Sequence, residues 1–400
     1  MGEPATREQP FQPSLAISRA EFIGLAAALM ALNAMAIDIM LPALQQIGGA
    51  LNVADENSRQ FIITAYLLGL GAAPLFYGPI TDRFGRRAPL LIGTVIYIIT
   101  SLAAVFAPSF STLLILRVLQ GVGAASTRVI VVSAIRDVFG GRRMAEVMSM
   151  VMMVFMVVPV MAPTLGQAAM FVGNWRAIFL LMAGVAFFIC IWAFLRLPET
   201  LAPEMRRSLR FNTIIEGFRF VLTNRTALCY TLAATAVFGG LFGFINSAQQ
   251  IYVDIYGLGA WSFTNSRFVG RLGMRRLSHG ALVGFVLVNG VWLLLTFIGP
   301  IPFPLFFLLF SLSMFQFGWV GPNFNSIAME PLGHVAGTAA AVLGFVTTLG
   351  GGLLGAIIGQ AFDGTLMPLA GGYFILGVIA LVLVLLGERG RLFQQVSPAV

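Results

Sequence analysis

Asp38 is an acid where an acid is expensive. It stands in Ala36-Ile-Asp-Ile-Met-Leu-Pro-Ala-Leu44, near the end of an uncharged run that begins at Phe22. An ionisable group inside such a run is a functional candidate by default, and a carboxylate there suits the binding and release of a proton. Arg117 is the candidate counter-charge. It lies six residues into the run from Ser111 to Ile135. If the two runs are antiparallel neighbours, Asp38 and Arg117 fall at similar depth and can pair. Arg117, Gln120, Gly121, Ala124 and Arg128 share one stripe at helical spacing. Arginine, amide and small residues on one stripe suit a helix that lines a water-filled cavity. The competing reading of Arg117 is a clamp on helix-end carbonyls, and that of Asp38 is a helix-breaking end beside Pro42.

A second constellation is the decapeptide Gly78-Pro-Ile-Thr-Asp-Arg-Phe-Gly-Arg-Arg87. It joins the apolar runs Phe61 to Ile80 and Ala88 to Ala107. Gly78 and Gly85 let two helix ends approach closely. Asp82 can pair with a neighbouring arginine or cap a helix N-terminus. Arg83, Arg86 and Arg87 hold the loop at the inner face of a membrane.

The elements that must position these residues follow from composition. Hydrophobic residues make up 58% of the 400 positions and charged residues 10%, where a soluble chain carries about 25% charged residues. Uncharged runs long enough to span a bilayer, about 20 residues, recur along the whole length. The chain is therefore all-α and polytopic. Its net charge of +8 needs no nucleic acid to explain it. Cys190 and Cys229 both lie in apolar runs, and no metal-ligand spacing joins His279 and His334. No phosphate-binding G-x-x-x-x-G-K-[ST] loop and no nucleophile–base constellation occurs, so neither an enzyme nor a cofactor is expected.

Residues 1–21 form a polar tail, with no signal-peptide pattern in the apolar run that follows. Six runs then fill residues 22–195: Phe22 to Leu44, Phe61 to Thr81, Ala88 to Ala107, Ser111 to Ile135, Val147 to Phe171 and Ala177 to Leu195. A connector rich in arginine occupies 196–225. A second bundle occupies 226–387, and residues 388–400 form a tail. With the N-terminus in the cytoplasm, only Arg59 and Arg176 of the first half fall outside, in accord with the positive-inside rule. The second half holds five runs: Thr226 to Val253, two within Leu277 to Met329, Gly337 to Phe362 and Gly364 to Gly387. Ile255 to Ser266 are too few to cross a core of about 30 Å. If the run ending at Val253 points outward, Arg267, Arg271, Arg275 and Arg276 are stranded outside. The expectation is thus 11 spans, with an eighth span absent and an irregular link from Ile255 to Arg267. The halves also echo each other, since Thr81-Asp-Arg-Phe-Gly-Arg-Arg87 has a counterpart in Val269-Gly-Arg-Leu-Gly-Met-Arg-Arg276.

The loop spacing G-x-x-x-D-R-x-G-R-R resembles the loop between spans 2 and 3 of major facilitator superfamily transporters. Arg117-Val-Leu-Gln-Gly-Val-Gly-Ala124 and Arg136-Asp-Val-Phe-Gly-Gly-Arg-Arg143 are similar to that superfamily's span 4 motif. Pro159-Val-Met-Ala-Pro-Thr-Leu-Gly-Gln167 resembles the span 5 motif of its proton-driven antiporters, with Ala162 and Gln167 where glycines are usual. Pro159, Pro163 and Gly166 would kink that span and admit a neighbouring helix. Asn174-Trp-Arg176, Pro198-Glu-Thr-Leu201 and Gly337-Thr-Ala-Ala340 extend the resemblance to the Bcr/CflA branch of multidrug efflux proteins, over residues 20 to 390. The resemblance implies two pseudo-repeated helical bundles, 12 spans as a rule, and export of small amphipathic compounds against protons by alternating access. It also implies a monomer in the lipid bilayer of the inner membrane. Spans 1, 4, 7 and 10 would line the cavity, which makes Asn246 and Gln249 in span 7 and Gln316 and Asn323 in span 10 candidate ligand contacts beside Gln120 and Arg128. A metabolite transporter on the same scaffold, or a transport-impaired variant lacking span 8, shares every one of these motifs.

Overall fold

The computed structural model describes residues 17–139, 141–206, 221–249, 274–331 and 336–393, with residues 215, 219, 251 and 255. Every regular element among them is helical. In chain order these are α1 (Arg19–Asp38), α2 (Leu44–Ala50), α3 (Phe61–Ala72), α4 (Pro74–Phe84), α5 (Arg87–Val105), α6 (Phe110–Val138), α7 (Gly141–Val172) and α8 (Arg176–Arg196). They continue with α9 (Arg225–Gln249), α10 (Met274–Ile298), α11 (Phe303–Met329), α12 (Ala336–Phe345), α13 (Gly351–Gln360) and α14 (Met367–Gly387). A π-helical turn, Val346–Gly350, joins α12 to α13.

Nine helices among the described residues are long and apolar enough to cross a membrane, and the bent pair α3–α4 makes a tenth. The bend is 41° and falls at Pro74, whose ring removes a helix hydrogen bond. Local chemistry sets the ends. Ser18 and Ser109 cap α1 and α6 by accepting the amides of Glu21 and Thr112. Gly85, at φ +89°, ends α4 in a conformation open to glycine.

Glycines set the packing distance between helices. A Cβ on Gly121 would lie 2.1 Å from the Tyr66 carbonyl oxygen, and one on Gly69 would lie 2.0 Å from that of Val118. So α3 and α6 approach backbone to backbone, as small residues permit inside a membrane. Gly355 meets the Gly243 amide in the same way, with 2.7 Å to an added Cβ, and brings α13 onto α9.

Helices α1 to α8 pack chiefly on one another, as do α9, α10, α11, α13 and α14, while α12 packs most on α4. The two groups meet where α3 and α4 run along α12, the π turn and α13. At one end of this seam the Asn57 amide donates to the carbonyls of Gln360 and Phe362, at 3.0 and 2.8 Å. The Gln360 amide returns a bond to the Asn57 carbonyl at 2.6 Å.

The opposite end holds the Gly78–Arg87 loop and is termed the basic end. The start of α1 lies here too, because Glu21 pairs with Arg196 at the end of α8. The Tyr230 hydroxyl, on the second turn of α9, donates to Glu388 just past α14 and bonds His279 near the start of α10, at 2.8 and 2.7 Å. Helices α9 and α10 therefore start at the same end and run in the same direction. This corrects the placement of Arg275 and Arg276: both sit on the first turn of α10, at the basic end, not stranded opposite it. Apart from Ile255, the expected link Ile255 to Arg267 lies outside the described residues, as do Arg271 and residues 269–273 of the loop echo.

Candidate functional site

Arg117 is 0% exposed and its partners are not acidic. Its Nη2 donates to the Ala36 carbonyl at 2.9 Å, Nε to the Ile62 carbonyl at 3.1 Å, and Nη1 to Gln120 Oε1 at 2.6 Å. Tyr66 lies under the guanidinium, 4.6 Å from ring centroid to Cζ. Ala36 belongs to the last turn of α1, whose carbonyls lack donors within the helix. Arg117 thus clamps the end of α1 to the start of α3, with α6 as the arm. Gln120 extends the clamp by donating to Ser101 of α5 at 2.6 Å. One turn earlier on α1, Asn33 donates to Thr127 at 2.7 Å, which fixes the register of α1 against α6.

Asp38 ends α1 and is half-buried between the buried Ile37 and Ile39. It makes no salt bridge with any described residue. The Asp38–Arg117 pair expected from matched depth is absent: each nitrogen of the arginine bonds a backbone or amide oxygen instead. Ala28, Ala31 and Asp38 are the half-accessible positions on the inner two-thirds of α1, at i, i+3 and i+10, so they share one helix face. Next to Asp38, α7 closes in: a Cβ on Gly166 would lie 2.2 Å from the Ile39 carbonyl oxygen. The glycine of the span 5 motif is therefore the contact point of α7 with the acid-bearing end of α1. Pro163 is buried beside it. The side chain of Pro159 lies outside the described residues.

Arg128 is exposed at mid-helix in α6 and donates to Thr348 of the π turn at 3.4 Å. It faces the second group of helices. Three other polar candidates are less open than Arg128. Asn246 is 1% exposed and packs beside Gly359. Gln316 lies against Gly284 of α10, and the Asn323 amide donates to the Trp319 carbonyl one turn back on its own helix at 2.6 Å. No hydrogen bond among the described residues joins these three to the first group of helices, although Gly359, beside Asn246, also meets Gln60 of that group. The Gln249 side chain lies outside the described residues.

At the basic end a polar cluster forms around Arg86, which is 2% exposed. Its Nε donates to Asp137 at 2.8 Å, and its Nη1 to Asp82 at 2.7 Å and Thr81 at 2.8 Å. Burial alone would lower the pKa of this guanidinium, but its bonds to Asp137 and Asp82 outweigh that and hold the pKa above the ordinary value. Glu199 closes the cluster. Its carboxylate accepts the backbone amides of Arg86 at 2.7 Å, Arg87 at 3.3 Å and Leu201 at 3.0 Å. An anion at the first amides of α5 is the favoured sign. Gly85 must be glycine twice over, since a Cβ there would lie 2.2 Å from Glu199 Oε2. Gly78 is less constrained and faces Ala341 of α12 at 3.9 Å. Arg83 is exposed, and Arg87 donates to the Phe194 carbonyl of α8. Three motifs read separately in the sequence, the loop, the end of span 4 and Pro198-Glu-Thr-Leu201, are here one structure. Asp137 and Glu199 lay within quoted motifs, but nothing in their spacing told which group they bind.

The sequence pattern of the Major Facilitator Superfamily matches residues 23–355. The chain belongs to the Major Facilitator Superfamily. It is therefore a multi-pass membrane transporter. It is 30% identical to a bicyclomycin resistance protein homolog of Haemophilus influenzae, over 87% of this chain and 90% of that one. It is 32% identical to multidrug resistance protein D of Escherichia coli strain K12, over 87% of this chain and 92% of that one. A solved bacterial homolog of the human lysosomal transporter Spinster, in an inward-facing and unoccupied conformation, has the same fold. The TM-score is 0.68 at 16% identity, over 95% of this chain and 99% of that one.

Proposed function

We propose that this transporter exports drug-like amphipathic compounds across the inner membrane in exchange for protons, with its basic end in the cytoplasm. The observation that carries the reading is Asp38. It is a half-accessible carboxylate at membrane depth with no salt bridge to the described residues, on a scaffold whose relatives include multidrug and bicyclomycin resistance proteins. An unpaired acid can load and release a proton without first breaking an ion pair. Protonation removes a charge next to the tight contact between α1 and Gly166 of α7 and biases one arrangement of the two helix groups over the other. Drug and proton then act through one conformational equilibrium. The Arg86 cluster, with Asp82, Asp137 and Glu199, ties α4, α5, α6 and the end of α8 into a unit that moves together.

The test is drug-induced proton release in everted vesicles carrying the full chain, with resistance measured in a pump-deficient host. Release and resistance are expected from the parent and are expected to be lost in Asp38→Asn, with protein still present in the membrane. Unchanged release in Asp38→Asn refutes the coupling role. A parent that moves amino acids or sugars but no drug supports the metabolite reading instead. A parent that moves nothing supports a transport-impaired variant.

A further inference from the structure

Two arginines sit on one face of α6, and the fold treats them oppositely. Arg117 is wholly enclosed, with three oxygen acceptors and an aromatic ring around its guanidinium. Arg128, three turns further on, is left open. It is exposed, and its one bond to a described residue is the 3.4 Å contact to the Thr348 hydroxyl. No described carboxylate pairs with it. Its position is deep. Arg128 stands 10 residues from Val138 and 18 from Phe110, the two ends of α6, or ~15 and ~27 Å at ~1.5 Å per residue. It does not face lipid, because Thr348 belongs to the other group of helices.

A guanidinium carries five N–H donors. At this depth its charge is costly unless water or a counter-charge reaches it. The wall facing it is the π-helical turn Val346–Gly350, with Thr347 and Thr348, and single π turns within helices concentrate at functional sites. Asp38 does not neutralise Arg128. The Asn33–Thr127 bond sets Arg128 level with the turn of α1 around Asn33, about a turn and a half below Asp38.

We infer that Arg128 is the recognition group for an anionic substituent, so that this transporter takes amphipathic compounds bearing a carboxylate, with or without a separate cation. This rests on the export reading above and names the substrate class of that transporter. The guanidinium's free fork receives the carboxylate through charge-assisted, bidentate hydrogen bonds, and the apolar part of the compound lies along the surrounding spans. Thr348 is the placeholder that the carboxylate displaces.

The experiment uses the purified full chain in lipid nanodiscs and two fluorescent probes, dansyl-glycine and its neutral carboxamide. Parent protein is expected to bind the acid about tenfold more tightly than the amide. Arg128→Gln is expected to abolish that difference, with the acid losing far more affinity than the amide. Arg128→Lys, which keeps the charge but not the fork, is expected to keep part of it, and Thr348→Val is expected to keep all of it. Equal or weaker binding of the acid by the parent overturns the inference, as does binding of neither probe. So does an equal loss of both probes in folded Arg128→Gln, or a full loss of acid preference in folded Arg128→Lys. A separate arm measures resistance to cationic and neutral drugs. A parent that exports those but shows no acid preference refutes the substrate class alone, whereas a parent that exports no drug refutes the export reading.

Discussion

Replacing Arg117 by methionine tests whether that arginine is a structural clamp or a partner of Asp38. The substitution keeps most of the side-chain volume and removes every donor. The Ala36 carbonyl, in the last turn of α1, and Gln120 Oε1 then lose the bonds they make at 2.9 and 2.6 Å. The Ile62 carbonyl keeps its bond within α3. A buried acceptor left without a donor costs about 1–3 kcal/mol, so two cost about 2–6 kcal/mol. Against this, the guanidinium is buried without a carboxylate, and removing it relieves its desolvation. The net expectation is a loss of about 2–4 kcal/mol of stability. The measurement is thermal unfolding of the detergent-solubilised chain, read by loss of monodisperse protein with temperature. Arg117→Met should melt several degrees below the parent, and Asp38→Asn should melt with the parent. Arg117→Lys should fall between them, because an ammonium keeps the charge but cannot reach all three acceptors in the same geometry. If Arg117→Met melts with the parent while proton-driven efflux disappears, the clamp is wrong and the arginine acts through charge.

Gly121→Ala forces a Cβ to within 2.1 Å of the Tyr66 carbonyl oxygen, whereas a Cβ on Gly184 of α8 meets nothing within 4 Å. The first should sharply reduce the yield of folded protein in the membrane, and the second should be neutral or stabilising by about 0.5–1 kcal/mol. Asp82→Asn and Glu199→Gln each remove one carboxylate from the Arg86 cluster. Both are expected to slow turnover in vesicles while drug affinity, measured by equilibrium binding, stays within about twofold of the parent; a loss of affinity matching the loss of rate would refute a conformational role.

Much of this protein is legible without coordinates. Lipid cannot satisfy a bare backbone group or an unpaired charge, so the spans, the arginine-rich faces and the loop from Gly78 to Arg87 appear directly in the order of residues. The same rule singled out Asp38, Arg117 and Arg128 as charges that need an explanation. Helical periodicity places a residue on a face of its own helix, but it does not fix how that helix is rotated against its neighbours. Which partner each charge meets was therefore decided only by tertiary packing. Arg117 bonds carbonyls 55 and 81 residues away rather than Asp38, and Glu199 reaches the Arg86 amide across 113 residues. Asn246, Gln316 and Asn323 are polar residues on cavity-lining helices by sequence, yet packing turns them towards Gly359, Gly284 and Trp319. The glycines that let α3 touch α6, and α7 touch the end of α1, read in sequence only as small residues. Their backbone contacts at Tyr66, Val118 and Ile39 exist because the fold brings those helices side by side.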